Sequence, residues 1–171
     1  MNKTLKFSLF RLLLLFLLFS CKPQTEVTPE TALEAYLSNN DNSFSWELHD
    51  KQELNGAMLY NLLVTSQKWR EYTWRHQVAV IVPKEIKHDG ALLFISGGSN
   101  KNEVPNWKKP DDGNIRMMHL IAEKNKALVA VVFQVPNQPL FGDLTEDEII
   151  SLTFHNYRND KDFTWPLLFP M

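Results

Sequence analysis

The chain reads as an α/β domain in which antiparallel strands give way to a βαβα run with parallel strands. Three observations predict this. A stretch from Phe44 to Pro83 alternates apolar and polar residues with period two. Two continuous apolar runs, Ala91 to Ile95 and Ala127 to Phe133, follow it, and a helical segment lies between them. Period-two alternation marks half-buried strands joined by short turns, whereas valine-rich unbroken runs suit strands buried on both faces of a parallel sheet.

Taken in order, the chain begins with Lys3, Lys6 and Arg11, then an apolar run from Leu12 to Phe19, then Ser20 and Cys21. A basic start followed by so short an apolar run has the layout of a signal peptide, since a bilayer-spanning helix needs roughly 20 apolar residues. Leu18-Phe19-Ser20-Cys21 resembles a lipobox, which implies diacylglycerol on the Cys21 thiol, cleavage before it and acylation of the new N-terminus, with palmitate as a label that would report the acyl chains. Residues 1–20 are therefore expected to be a signal peptide, and the protein to be exported and lipid-anchored to the cell envelope, periplasmic or outer membrane. Its membrane contact would run through that anchor.

Cys21 is the single cysteine, which excludes an intramolecular disulfide and a cysteine metal site. Without Lys3, Lys6 and Arg11 the 18 basic residues fall to 15 against 20 acidic ones, a balance of −5. No basic footprint for nucleic acid is present. At 44% hydrophobic and 12% aromatic residues the remainder is globular in composition.

Residues 21–43 read as a lipidated tether and a short helix, with Thr28 as N-cap and Pro29 at the first helical position, running to about Leu37. Residues 44–171 read as a partial domain. Phe44, Trp46 and Leu48 share one strand face; Tyr60, Leu62 and Val64 share another, with Asn61 and Thr65 opposite. Trp74, His76, Val78, Val80 and Val82 continue the pattern until Pro83. A helix is predicted from Ile115 to Lys124 with Asn125 as a left-handed cap. Thr145 and Glu148 form a capping-box pattern that starts another helix.

An α/β-hydrolase begins with this order of elements and places its nucleophile after the next strand, in a G-x-S-x-G turn. No G-x-S-x-G occurs in these 171 residues. The expectation is an N-terminal portion of an α/β-hydrolase-like domain, truncated before the nucleophile strand and inactive alone, with Ala127 to Phe133 left unpaired on one side.

Gly97 and Gly98, after the first apolar run, are candidates for oxyanion-hole N–H groups or simply for a turn. Ser99 lacks the second flanking glycine and is a poor nucleophile candidate. Neither a GxGxxG nor a Walker pattern is present, the five histidines show no HExxH spacing, and no metal or cofactor is predicted. His119, within a helix, reads as a satisfied histidine, and the five tryptophans read as core packing rather than a sugar platform.

Gln134-Val135-Pro136-Asn137-Gln138-Pro139-Leu140, Trp165 to Met171, Trp74 to Pro83 and Ile95 to Asn100 together resemble the PhoPQ-activated pathogenicity-related family, whose members include autocrine proliferation repressors. The resemblance spans roughly residues 45 to 171 and implies a longer, hydrolase-like protein of unspecified substrate. Asn137 and Gln138 either line a pocket at the carboxyl end of their strand or fix the loop by hydrogen bonds. The residues do not identify a small-molecule or peptide ligand, and the alternative to a hydrolase is a non-catalytic envelope protein that binds a partner or a cationic peptide.

Overall fold

The computed structural model describes residues 26–171, so the expected signal peptide and Cys21 lie outside the described residues. Two units divide at Ala32 and Leu33. In the first, residues 29–31 form a turn in which the Thr31 N–H donates to the Thr28 carbonyl at 3.1 Å. Helix α1, Ala32–Leu37, thus starts later than the Thr28-Pro29 signal suggested. Thr28 and Thr31 bond to each other, which satisfies their polar groups without a helical turn.

The second unit is built on a five-stranded sheet. Its strands are β1 (Ser45–Leu54), β2 (Ala57–Trp69), β3 (Tyr72–Pro83), β4 (Ala91–Ile95) and, after two short strands β5 (Asn100–Lys101) and β6 (Val104–Pro105), β7 (Leu128–Val132). The order across the sheet is β1-β2-β3-β7-β4. β1, β2, β3 and β7 are antiparallel neighbours, and β4 pairs with β7 in parallel, Ala91 opposite Leu128 and Ile95 opposite Val132. The two apolar runs are thus adjacent parallel strands, as predicted. Helix α2, Gly113–Asn125, makes the crossover between them, and α3, Glu146–Asp160, follows β7.

Two expectations about burial need correction. β7 is the valine-rich strand, and it is paired on both sides; the strand left with a free edge is β4. Lying at that edge, β4 is exposed along most of its length, so its continuous apolar pattern does not signal burial on two faces. β1 is the other edge, and Phe44, Trp46 and Leu48 remain exposed there.

The face of β2 and β3 that is fully buried is also the one with the polar letters. α2 covers it, and Ala57, Leu59, Ala79, Ile81, Val129, Val131 and Phe133 pack there against Ile115, Met118 and Ala122. Asn61 and Gln77 share this face and are buried, because Gln77 Nε2 donates to Asn61 Oδ1 and to the Lys108 carbonyl at 2.9 Å each, while Lys108 N–H donates back to Gln77 Oε1 at 2.6 Å. Met58, Tyr60, Leu62, Val64, Val78, Val80, Val82 and Val132 lie on the opposite face and are half-buried.

A second cluster gathers at the far end of the β2–β3 hairpin, where Tyr36, Trp69, Trp74, Leu140, Ile149 and Leu167 are buried together. Burial raises the Tyr36 phenol to about 12, and its hydroxyl donates to Gln67 at 2.8 Å. Of the tryptophans, Trp69 and Trp74 are core as predicted, whereas Trp46 is exposed, Trp107 stacks on His49 and Trp165 lies under Arg70.

The helix ends follow local chemistry. Asp112 caps α2 by accepting the Asn114 N–H at 2.9 Å, and the left-handed cap falls at Lys126, one residue past the Asn125 predicted. At α3 the Thr145 N–H donates to the Glu148 carboxylate at 3.2 Å, the arm of the box that the sequence signalled. Among the described residues no helix is long and apolar enough to cross a membrane.

Candidate functional site

Parallel pairing of β4 and β7 brings their carboxyl ends side by side, the location at which open α/β sheets bind ligands. Two loops leave from there. Ser96-Gly97-Gly98-Ser99 follows β4, and Phe133-Gln134-Val135-Pro136-Asn137-Gln138-Pro139 follows β7, with cis bonds before Pro136 and Pro139.

The loops are stitched together. The Gln134 and Val135 N–H groups donate to the Gly97 and Ser96 carbonyls at 3.4 and 3.2 Å, and Gln138 Nε2 donates to the Gly98 carbonyl at 3.2 Å. Gly98 has φ +155°, and a Cβ there would come within 3.0 Å of Gln134 Nε2 and 3.2 Å of its backbone nitrogen. Only glycine lets the two loops approach this closely. The Gly97 and Gly98 N–H groups donate to no carbonyl or side chain among the described residues.

Asn137 and Gln138 are both buried and largely occupied. Asn137 Nδ2 donates to the Arg75 carbonyl at 2.6 Å, and its Oδ1 accepts from Asn100 Nδ2 at 2.8 Å. Gln138 Oε1 accepts the Glu146 N–H at 2.9 Å, so this amide ties the β7 loop to the start of α3 as well as to Gly98. Asn137 also borders a cavity of about 350 Å³ with Tyr72, Lys101, Glu103 and Asp143 around it. Asn137 thus lies beside a cavity and is bonded within the loop, while Gln138 is bonded at both ends of its amide.

Beside the same loops, on the uncovered sheet face, lies a second cavity of about 260 Å³ walled mainly by apolar side chains, Ile95 of β4 and Val135 of the β7 loop among them. Ser66, Gln67 and His76 are its polar lining residues. His76 is buried, and desolvation, opposed by hydrogen bonds from its ring to the backbone of Phe133 and Gln134, lowers its pKa below the usual histidine value. Sequence reasoning saw His76 only as a strand residue and did not single out Ser66. Their meeting depends on a bulge in the β2–β3 register, which no residue pattern announces. Ser99, the nearer sequence candidate, is held by Asn106, whose Nδ2 donates to its Oγ at 2.7 Å. His119 is satisfied as expected, 2.9 Å from the Asn55 carbonyl.

The fold and the loop pair define an α/β protein in which two loops are bonded to each other at the carboxyl ends of its parallel strands. Residues 33–171 match the model of the family described as PhoPQ-activated pathogenicity-related protein, and the chain belongs to that family. Autocrine proliferation repressor protein A of Dictyostelium discoideum is 26% identical over 170 residues, covering 93% of this chain and 33% of that protein. The chain thus spans about a third of the length of this curated relative. Among solved structures, acetyl xylan esterase 1 from Thermoanaerobacterium sp. JW/SL YS485 matches with a TM-score of 0.42 and 18% identity, over 82% of this chain and 41% of the esterase chain.

Proposed function

We propose that the protein is an exported, lipid-anchored member of this family, hydrolase-like, in which Gly97 and Gly98 present oxyanion-hole N–H groups to a nucleophile that residues 1–171 do not themselves carry in a G-x-S-x-G turn. The observation that supports the reading is the pair of undonated N–H groups at the carboxyl end of β4, held in place by Gln134 and Gln138. Donors fixed before the reaction stabilise a developing oxyanion without having to reorganise. They do not create a nucleophile, so the 171-residue chain alone is expected to show no saturable ester turnover. Continuous release of p-nitrophenol from a short-chain ester is the measurement; turnover that disappears when one serine is replaced overturns the reading.

The anchor is tested separately by radiolabelled palmitate, which should enter the wild-type chain and not Cys21→Ala. Equal labelling of the two removes the lipid from the proposal. A second reading, a non-catalytic envelope protein that binds a ligand, is favoured by the cavity of about 260 Å³ on the uncovered sheet face. Saturable binding of an apolar ligand there, with the esterase assay silent, would select it.

A further inference from the structure

The cross-strand register of β2 and β3 slips once. Thr65 faces Arg75 and Gln67 faces Trp74, which leaves Ser66 as an extra residue without a partner. A bulge of this kind bends the strand and re-aims the unpaired side chain. Here the Ser66 hydroxyl is turned to His76, Oγ to Nε2 at 3.0 Å. On the other side of the ring, Nδ1 lies 3.0 Å from the Phe133 carbonyl oxygen.

A carbonyl oxygen can only accept, so Nδ1 carries the ring proton and Nε2 holds the lone pair. The serine therefore donates its proton to an imidazole whose tautomer is fixed from behind. Nucleophile, base and orienting group stand in line, the arrangement by which serine hydroxyls are activated. The orienting group is a neutral carbonyl and not a carboxylate, so it sets the tautomer without adding negative charge behind the ring.

The surroundings complete the case. Val64, Val78, Leu93, Ile95, Val132 and Val135 give the cavity apolar walls. Its volume of about 260 Å³ falls just below the roughly 300–1,000 Å³ typical of drug-sized ligands and exceeds the ~150 Å³ that holds benzene, so an occupant of about six carbons fits. Trp74 belongs to the same wall, is buried, and has an indole N–H with no hydrogen-bond partner among the described residues. That nitrogen is closed off from solvent, so the ring helps to wall the cavity and offers no polar contact to an occupant.

We propose that Ser66 and His76 are a nucleophile and its general base, and that the cavity they border takes small apolar activated esters that are transferred onto Ser66. With a carboxylic ester, Oγ bonds to the carbonyl carbon while its proton passes to His76 Nε2; the carbon–oxygen bond then breaks and the alcohol leaves with that proton. With diisopropyl fluorophosphate, Oγ bonds to phosphorus, the phosphorus–fluorine bond breaks, and fluoride departs with the bonding pair while the proton reaches solvent through Nε2. Capture is a single event, and hydrolysis of the adduct is no part of it. It is thus independent of the Gly97–Gly98 reading, which is tested by turnover.

The experiment exposes the 171-residue chain to diisopropyl fluorophosphate and follows the intact mass, with peptide mapping of the product. One diisopropylphosphoryl group per chain, located on Ser66, is expected. Ser66→Ala should take up none, and His76→Gln, which can still hydrogen-bond, should react at least ~100-fold more slowly, the lower end of what a general base contributes. Leu93→Trp fills the cavity from an exposed edge position and should slow labelling without touching the pair. Absence of an adduct, an adduct on another serine such as Ser96 or Ser99, or equal labelling rates in wild type and His76→Gln would each overturn the proposal.

Discussion

On the side of the sheet covered by α2, Leu59, Ala79, Ile81, Val129 and Val131 are withdrawn from water, whereas on the other side Tyr60, Leu62, Val78, Val80 and Val132 are only half-buried and Leu93 and Ile95 are exposed. The two faces are made of similar side chains. What separates them is the helix, because an apolar residue contributes stability in proportion to the area removed from water, about 25 cal/mol per Å². Composition therefore says little about which face holds the molecule together. The covered face even carries the more polar letters, Asn61 and Gln77, since a buried amide costs little once its donors and acceptors are all used.

The largest test of this contrast is truncation. Phe133→Ala, on the covered side and fully buried, should lower the unfolding free energy by about 3–5 kcal/mol, while Leu93→Ala should cost under ~1 kcal/mol. Chemical denaturation of the two variants side by side measures it, and equal losses would erase the distinction between the faces. The next test is Gln77→Leu, which keeps the bulk but strips partners from Asn61 Oδ1 and from both backbone groups of Lys108. A loss of ~1–3 kcal/mol is expected in the same assay. A neutral result would mean that the polar group on the covered face is dispensable.

A smaller effect should come from pH, and it arises on the uncovered side. His76 has a lowered pKa in the folded protein, so the unfolded chain binds its proton more readily. Its contribution is thus fully present above the ordinary histidine value near 6.5 and is lost as pH falls through that value toward the lower folded one. Thermal melts between pH 7.5 and 5 should show a slope that flattens in His76→Gln; an unchanged slope would assign it to other groups. The smallest expected change in stability is that of Leu93→Lys, within ~0.5 kcal/mol. Its effect should appear instead in sedimentation, as reduced self-association, because a charge on an edge strand discourages pairing with another chain. Unaltered association would show that the free edge of β4 is not a contact surface.

Much of the architecture was legible in the residues themselves. Alternation located β2 and β3, the two apolar runs located β4 and β7 and implied their parallel pairing, and Thr145 with Glu148 marked the start of α3. These signals are local, which is why they survive without coordinates. Edge or interior position is not local. Ala91 to Ile95 and Ala127 to Phe133 look alike as strings, yet one is the rim of the sheet and the other is enclosed, a difference made by strand order alone. The same limit applied at the candidate site. Gly97, Gly98, Asn137 and Gln138 could be named from their place after apolar strands, and the structure brings Gly98, Gln134 and Gln138 into contact. Ser66 was invisible, since its orientation depends on one slipped register pair.

At the hairpin tip, Arg70 sits 3.7 Å above the Trp165 ring and donates to Asp162 and Thr164 at 2.9 Å, while Trp69 Nε1 donates to the Thr164 carbonyl. These contacts join residues 92 to 95 positions apart. The β2–β3 hairpin can zip from its own turn, but the clasp at its tip must wait for a loop of that length to close, and closure entropy grows with the logarithm of the span. Contacts so distant in sequence slow folding more than they alter stability. The tip of the longest hairpin is thus the first place reached by local pairing and one of the last to be locked, which leaves a nascent chain with the cluster around Trp69 and Trp74 incomplete until Leu167 has been synthesised.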